Sequence, residues 1–308
     1  MKIFRHLFRF YINGSIHVSL SCLALFCITQ QQLFFSSTFS LALFVFLGTV
    51  FAYNFVKYES LIRRRKNAIR KELKAIVWGD SHANAVVGAV ASSSEKHNGH
   101  VLSWTSSGCP TVMGIQSQAE QSYNCSRQIQ RFLAEVQRFP SDTPVIVVNR
   151  LNAYLHGNNE SQDGQPKTYV HTPYSSYSRE IFQKEIIRGY EQAICQLSKS
   201  RPVYVLQPIP EMGKNVLNEE LKYSMILHQG LEVKISKLNH LQRSQLSMNI
   251  NSQLAQQCGV KLLNPLPYLC NDKQCFGSQN NVPYYFDDDH LNLRGARRLM
   301  PLFEPIVQ

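Results

Sequence analysis

The sequence predicts an α/β fold with a parallel central sheet, which follows a membrane-anchoring segment at the N-terminus. From residue 75 onward, short apolar runs alternate with stretches whose apolar residues have helical spacing. Strands that alternate with helices along a chain form parallel sheets covered on both faces. The composition of the 308-residue chain, 44% hydrophobic and 17% charged, excludes disorder, collagen and coiled coil over most of its length.

The N-terminal segment is apolar and long enough for a membrane anchor. No charged residue lies between Phe10 and Val56, and the run Leu33–Phe55 can cross a bilayer with some tilt. A shorter apolar stretch, Ser15–Ile28, fits a second span and a signal-anchor or half-buried helix equally well. We predict an anchor of one or two spans over residues 1–56 with the main span at 33–55, a basic linker over 57–74 and a globular domain over 75–308.

The net charge of +11 lies almost entirely in the N-terminal part of the chain. Residues 1–74 contain eleven of the 32 basic residues but only two of the 21 acidic ones, so the domain that follows is nearly neutral. A nucleic-acid groove needs a basic surface on the domain itself. We therefore expect no nucleic-acid partner.

The six cysteines of the domain indicate disulfides, and with them an oxidising compartment such as the periplasm. Their order along the chain favours the pairs Cys109–Cys125 and Cys270–Cys275, which leaves Cys195–Cys258 as the third. Reduced, buried cysteines are the alternative, and a zinc site at Cys270 and Cys275 lacks a second pair of ligands. The basic flank at 63–74 favours the opposite orientation, because positive charge after a span usually stays in the cytoplasm.

Apolar runs and helical spacing place the elements in order along the domain. The predicted strands lie at residues 75–78, 100–104, 144–148, 202–206 and 260–263. Helices are predicted at about residues 83–91, around 129–136, at 178–197 and 216–257, and after Leu293. The polar segment 151–176 is predicted to be a long loop.

Ser81 is the first candidate for chemistry, because it follows the first predicted strand at the start of a helix. Parallel sheets bind their ligands beyond the carboxyl ends of the strands. Free N–H groups at a helix N-terminus can hold a developing oxyanion beside the serine hydroxyl. The alternative is that Asp80 or Ser81 only caps the helix.

An acid stands three residues before a histidine ahead of the last predicted helix, in the run Phe286–Leu291. Asp287 can orient the ring of His290 through one nitrogen while the other nitrogen faces a serine. Asp288 and Asp289 are expected to face solvent or to cap the turn. A serine after the first strand combined with Asp-x-x-His before the last helix is a much more specific pattern than either motif alone.

Two motifs, Trp78–Ala83 and Asp287–Ala296, resemble the first and last blocks of the SGNH hydrolase family. More closely, the chain resembles the SGNH domains fused to membrane acyltransferases of acyltransferase family 3, over about residues 75–302. The other stretches that resemble this subfamily are Ser107–Pro110, Val147–Arg150 with Tyr154, Gln207–Glu211 and, at the end of the membrane part, Tyr53–Lys57.

The resemblance implies a three-layer α/β/α fold and a catalytic triad of Ser81, His290 and Asp287. It also implies an oxyanion hole made by the Ser81 backbone N–H together with Gly108 and Asn149. Arg150 is expected either to contact the acyl group or sugar, or to form a salt bridge at the strand end.

The function expected from these motifs is that of a membrane-anchored O-acyltransferase, for O-acetyl groups, acting on a cell-surface polysaccharide or lipopolysaccharide through an acyl-enzyme. A carbohydrate esterase with the same triad is the alternative, and a non-catalytic glycan-binding module is the second alternative. The expected partners are a glycan acceptor and an acyl donor delivered by a membrane acyltransferase domain or a separate protein. No cofactor or metal is expected, and the domain is expected in the periplasm at the bacterial inner membrane.

Overall fold

A computed structural model describes residues 72–117, 124–159, 164–227 and 232–308. The predicted membrane anchor, residues 1–56, and the basic linker as far as residue 71 lie outside the described residues. Among the residues that are described, no helix combines the length and the apolar character needed to cross a membrane. All of them belong to one unit, Ala68–Gln308.

Twenty helices and strands, together with two short 3-10 turns at Val136–Arg138 and Glu304–Ile306, make up the described part of the domain. In chain order they are β1 (Glu72–Gly79), α1 (Ser81–Lys96), β2 (Gly99–Thr105), β3 (Gln116–Ser117), α2 (Cys125–Glu135), β4 (Val145–Val148), α3 (Leu151–His156), β5 (Thr168–Tyr169), α4 (Arg179–Ser198), β6 (Val203–Leu206), α5 (Val216–Leu227), β7 (Lys234–Ser236), α6 (Lys237–Cys258), β8 (Lys261–Leu263), α7 (Leu266–Leu269), β9 (Gln274–Phe276), β10 (Ser278–Gln279), β11 (Val282–Pro283), α8 (Leu293–Arg297) and α9 (Met300–Phe303).

The central sheet has five strands in the order β2-β1-β4-β6-β8, and every neighbouring pair is parallel. These strands coincide with the five predicted apolar runs, so the parallel α/β architecture is confirmed. The innermost runs are the most apolar: all four residues of β4 are buried. β1 begins at Glu72, ahead of the predicted start, because Glu72 and Leu73 continue the pairing with β2.

Helices cover both faces of the sheet, since alternate strand residues enter two separate cores. Ile76, Val145 and Val203 point into one core, which α2, α4 and α6 close from outside. Val77, Ile146 and Leu206 point into the other, which α1, α8 and α9 close. Successive side chains of a strand alternate between the faces of a sheet, which explains this division. The architecture is therefore three-layered.

Three parts of the prediction are wrong in detail. The segment 151–176 is not one long loop, because Leu151 and Leu155 are buried and form the inner side of the helix α3. The region 216–257 contains two helices rather than one, and β7 separates them; Ser236 caps α6 by accepting the Leu238 N–H at 3.2 Å. The first helix begins at Ser81 rather than Ala83, because Asp80 already caps it.

All three predicted cysteine pairs are joined as disulfides: Cys109–Cys125, Cys195–Cys258 and Cys270–Cys275. The second connects the last turn of α4 to the end of α6, two helices of the same layer. Disulfides persist in oxidising compartments. The described structure therefore favours the disulfides over reduced thiols.

Candidate active site

The carboxyl end of β1 leads directly into Asp80 and Ser81, the first part of the site. Asp80 is fully buried, and its carboxylate accepts the backbone N–H groups of His82 and Arg150, both at 2.8 Å. The first bond caps α1, and the second ties the end of β1 to the end of β4. Burial, together with the charge of Asp80 and a hydrogen bond to it, raises the pKa of Tyr154 well above its usual value. Ser81 is thus held at the first position of a helix whose preceding residue is fixed from two sides.

A tight turn before α8 supplies the second part of the site. Asp287 Oδ1 accepts the backbone N–H groups of Asp289 at 3.0 Å and His290 at 2.7 Å, so the carboxylate organises its own turn. Phe286 N–H donates to the His290 carbonyl at 2.8 Å and closes the turn. Asn292 then caps α8 by accepting the N–H groups of Arg294 and Gly295.

Ser81, His290 and Asp287 form a continuous hydrogen-bonded chain across these two parts. His290 Nε2 lies 2.7 Å from Ser81 Oγ, and His290 Nδ1 lies 2.8 Å from Asp287 Oδ2. When the neutral ring carries its proton on Nδ1 and donates a hydrogen bond to Asp287, Nε2 can accept a hydrogen bond from the serine hydroxyl. The three residues predicted as a triad are therefore brought together, from positions 209 residues apart in sequence.

The two carboxylates of the turn strongly affect the imidazole. Hydrogen bonds with Asp287 and Asp289 raise the pKa of His290 to about 10, against the opposite effect of burial. Burial acts to raise the pKa of Asp287, but hydrogen bonds from the His290 ring and from the His290 and Asp289 backbone outweigh it and leave that pKa below its ordinary value. The pair is therefore stabilised with the imidazole protonated and the carboxylate charged.

Asp289 is not solvent-facing, which corrects the prediction for this residue. Its side chain is 3% exposed, and its carboxylate lies 2.7 Å from His82 Nε2, 3.0 Å from Arg150 Nε and 3.2 Å from His290 Nδ1. Burial acts to raise its pKa, but the bonds from the two histidines and the charge of Arg150 hold it well below the usual range. Asp288 is also no simple surface residue, because its carboxylate lies 3.7 Å from Arg150 Nη2.

Arg150 lies at the centre of a buried ion-pair network. Besides Asp289, its Nε lies 3.3 Å from Glu211 Oε1. Glu211 Oε2 in turn accepts from Arg243 Nε at 2.7 Å, and Arg243 Nη2 donates to the Gly157 carbonyl at 2.7 Å. Of the two roles considered for Arg150, the described contacts correspond to the salt bridge at the strand end.

The predicted oxyanion residues lie on two neighbouring loops. Gly108 is exposed in the turn that follows β2 and has a φ of +71°, a backbone conformation that favours glycine. The Asn149 side chain is buried, accepts the Thr111 N–H at 3.1 Å and donates to the Thr111 hydroxyl at 2.8 Å. Asn149 thus connects the end of β4 to the loop that carries Gly108. Participation of either residue in an oxyanion hole stays a prediction.

Two groups of side chains bring possible metal ligands within 4.8 Å of one another: His82 with Asp289 and His290, and Asp287 with Asp288 and Asp289. In the first group Asp289 already lies 2.7 Å from His82 Nε2 and 3.2 Å from His290 Nδ1, and in the second group the Arg150 guanidinium lies against Asp288 and Asp289. A fixed cation therefore stands beside the carboxylates, so we assign the two groups to ion pairing.

A cavity of about 170 Å³ adjoins the ion-pair network on the side of Glu211. His240 and Arg243 of α6 contribute to its wall, and Met212 and Ile235 give it an apolar side. His240 is 4% exposed, and its Nε2 has no hydrogen-bond partner among the described residues. Burial lowers the pKa of His240 to about 4. The cavity consequently presents a neutral imidazole edge next to amide and guanidinium groups.

The sequence had signals for most of these residues but not for their contacts. His82, Asp289 and Glu211 all lie within the quoted motifs. Their partners come from distant segments: His82 and Asp289 are 207 residues apart, and Arg150 and Glu211 are 61 apart. Arg243, on the predicted long helix, had no local signal at all.

The chain is similar to a known protein family in sequence and to solved structures in fold. A family model described as the SGNH domain fused to AT3 domains matches residues 57–305. No curated protein matches the chain significantly in sequence. Among solved structures, the fold is similar to that of the periplasmic domain of a lipopolysaccharide acetyltransferase from Salmonella ser. Paratyphi A, with a TM-score of 0.56 and 15% identity over 83% of this chain and 97% of that one.

A carbohydrate acetylesterase from Sinorhizobium meliloti is also similar, with a TM-score of 0.43 and 14% identity over 77% of this chain and 97% of that one. At 15% identity, the similarity to the acetyltransferase domain shows the fold alone. The family model, by contrast, covers most of the chain. On that coverage, the chain belongs to the family of SGNH domains that are fused to AT3 domains.

Proposed function

We propose that this chain is an O-acyltransferase that carries an acyl group, most simply acetyl, on Ser81 and transfers it to a hydroxyl of a cell-surface glycan. The observation that carries the proposal is the chain of short contacts from Ser81 Oγ through His290 to Asp287. The family of SGNH domains fused to AT3 domains and the fold shared with a lipopolysaccharide acetyltransferase domain support the same chemistry.

The proposed reaction has two half-steps with His290 as the proton carrier. Ser81 Oγ attacks the carbonyl carbon of the acyl donor while its proton moves to His290 Nε2. The oxyanion forms beside the Ser81 backbone N–H at the start of α1. When the tetrahedral intermediate breaks down, the bond to the donor's leaving group breaks and that group takes the proton, which leaves acyl-Ser81. A sugar hydroxyl then gives its proton to His290 and attacks the acyl carbon; the bond to Ser81 Oγ breaks, and the serine oxygen takes the proton back from His290.

Asp287 is proposed to hold the imidazole in the tautomer that leaves Nε2 for the serine. In this scheme it also stabilises the imidazolium that each half-step produces. The cavity beside Glu211 is the proposed place of the acceptor, because the amide, imidazole and guanidinium groups in its wall are of the kinds that bond to sugar hydroxyl groups.

An esterase is the second candidate function, with water instead of a sugar at the acyl-enzyme. The experiment that separates the two incubates the purified full-length chain with an activated acetyl ester, with and without oligosaccharides prepared from the cell surface. Mass spectrometry follows acetyl on Ser81 and on the sugar, and Ser81→Ala is the control. Acetyl that passes from Ser81 to sugar supports the transferase, and acetate release unaffected by sugar supports the esterase. A folded chain that never carries acetyl on Ser81 contradicts both.

The location of the domain is proposed to be periplasmic, with residues 1–56 as the membrane anchor and 57–74 as the linker. The three disulfides support an oxidising compartment, and the acyl donor is proposed to come from a membrane acyltransferase domain or protein. In spheroplasts, added protease is expected to digest the domain, with a cytoplasmic protein as the intactness control. A domain digested only after lysis contradicts this orientation.

A further inference from the structure

Two carboxylates, not one, face the same nitrogen of His290. Asp287 Oδ2 lies 2.8 Å from Nδ1, and Asp289 Oδ1 lies 3.2 Å from it. The two acids differ in their surroundings, because the Asp287 side chain is 26% exposed and that of Asp289 only 3%. The Nδ1 proton therefore has two possible acceptors, the partly exposed Asp287 and the buried Asp289.

The enclosed carboxylate is held in place from two further directions. Asp289 Oδ2 lies 2.7 Å from His82 Nε2 and 3.0 Å from Arg150 Nε. His82 is the residue after Ser81 on α1, and its ring lies edge-on to His290 with 5.0 Å between the ring centres. Asp289 thus connects the helix that carries Ser81, the end of β4 that carries Arg150 and the turn that carries His290.

The geometry points to Asp289 as a second positioning residue for His290, which His82 and Arg150 hold in place and which shares with Asp287 the orientation of the imidazole. This inference rests on the proposed function, in which His290 is the base for Ser81. An acid fixed by a neighbouring histidine and an arginine keeps its oxygen at Nδ1 even when the half-exposed Asp287 moves away.

The effect of pH on His290 depends on the charged and titratable groups that face it in the described part of the chain. They are Asp287 and Asp289 of its own turn, with Asp288 beside them, Ser81 and His82 of α1, and Arg150 acting through Asp289. A carboxylate next to an imidazole stabilises the protonated ring. Removal of the Asp289 charge therefore lowers the pH at which His290 loses its proton, whereas that pH would hardly move if Asp289 did not lie against Nδ1 in solution.

The first test measures the rate of Ser81 acetylation against pH in the full-length chain with p-nitrophenyl acetate. Asp289→Asn is expected to move the midpoint of the alkaline rise down by at least about one pH unit, the size expected for loss of a close opposite charge. Asp288→Asn is the matched control, because it changes the same charge one residue away; its midpoint is expected to move less than half as far. An unchanged midpoint in a folded Asp289→Asn chain overturns the inference.

The second test starts from the more exposed Asp287 and changes the buried Asp289 only in a double variant. In a triad with a single acid, replacement of that acid by asparagine gives the wrong tautomer and costs about 10⁴-fold in rate. If Asp289 also holds the ring, Asp287→Asn keeps the Nδ1–H tautomer, as read from ¹⁵N shifts of labelled histidine. Its acetylation rate is expected to fall by only about 10- to 100-fold, and the Asp287→Asn, Asp289→Asn double variant to lose about 10⁴-fold.

A single Asp287→Asn variant that is as slow as the double variant, or that has lost the Nδ1–H tautomer, contradicts the shared role. This result differs from failure of the proposed function. If the proposed function is wrong, the unchanged chain itself takes up no acetyl on Ser81, so the variants have no rate to compare.

Discussion

At the scale of single residues, His290 makes a prediction about pH. Its pKa is raised to about 10 by Asp287 and Asp289, so the ring is mostly protonated at pH 7. Only the neutral ring accepts the serine proton, and its fraction grows about tenfold per pH unit below the pKa. The rate of Ser81 acetylation by an activated ester is therefore expected to rise from pH 7 towards pH 10. Ser81→Ala gives the background, and a rate that is already flat above pH 7 contradicts the expectation.

His240 makes the second prediction at this scale, on stability. Burial lowers its pKa to about 4 in the folded chain, while an unfolded histidine titrates near 6.5. Between these two pH values the unfolded state binds more protons than the folded state. The free energy of unfolding therefore increases as the pH rises through this range and decreases as the pH falls through it. We expect urea denaturation to show a less stable chain at pH 5 than at pH 7.

His240→Gln is the control for that titration, because it keeps a polar group in the cavity but cannot take up a proton. Its free energy of unfolding is expected to differ less between pH 7 and pH 5 than that of the unchanged chain. Equal pH dependence in both chains assigns the effect to other groups.

The sequence could predict some residues of the site and not others for a physical reason. Asp287 and His290 lie three residues apart and meet within one turn, so local spacing is enough to pair them. From the sequence, Asp289 is predicted to face solvent or to cap the turn. What buries it are His82 and Arg150, which the fold brings from other elements. Contacts of that kind have no local signal.

At the scale of elements, the junction of β1 with α1 makes the third prediction. Gly79 has a φ of +153°, and a Cβ there would clash with the Val148 carbonyl oxygen of β4. Gly79→Ala is therefore expected to push the two strands apart just before Ser81, to lower the free energy of unfolding by on the order of 3 kcal/mol and to slow Ser81 acetylation.

Gly259→Ala is the matched control for Gly79→Ala. Gly259 has a φ of +68° at the end of α6, but a Cβ there meets nothing within 4 Å. Its cost is expected to be only about 1 kcal/mol, from the left-handed backbone alone. Equal losses in the two variants, measured by urea denaturation, contradict a steric role for the contact between Gly79 and Val148.

Elements differ in how clearly the sequence predicts them. The three inner strands of the sheet, β1, β4 and β6, are mostly buried apolar runs, the edge strands β2 and β8 are more exposed, and the sequence predicts all five. By contrast, α3 has only Leu151, Asn152 and Leu155 buried among polar residues, and β7 is three residues long with alternating exposure. Such short elements form because other elements pack against them or pair with them. Periodicity within a few residues cannot predict that.

At the scale of the whole molecule, the chain order of the cysteines predicted all three disulfides because nearest neighbours in sequence pair in two of them, which leaves one choice for the third. The membrane part predicted at residues 1–56 lies outside the described residues. Attachment to the membrane, supported by the apolar run at 33–55, stays a proposal.

The disulfides differ in how much of the molecule they constrain, which makes the last prediction. Cys195–Cys258 joins positions 63 residues apart, whereas Cys270–Cys275 joins positions only 5 apart. In the chain-entropy account, a cross-link restricts the unfolded state more when it closes a longer loop: about 4 kcal/mol for the first pair and about 2 kcal/mol for the second. Replacing both cysteines of each pair by alanine is thus expected to lower the free energy of unfolding more for Cys195 and Cys258, as urea denaturation measures. A larger loss for Cys270 and Cys275 means that the short loop matters through its contacts in the folded state, where Cys275 is fully buried against the core that α1, α8 and α9 close.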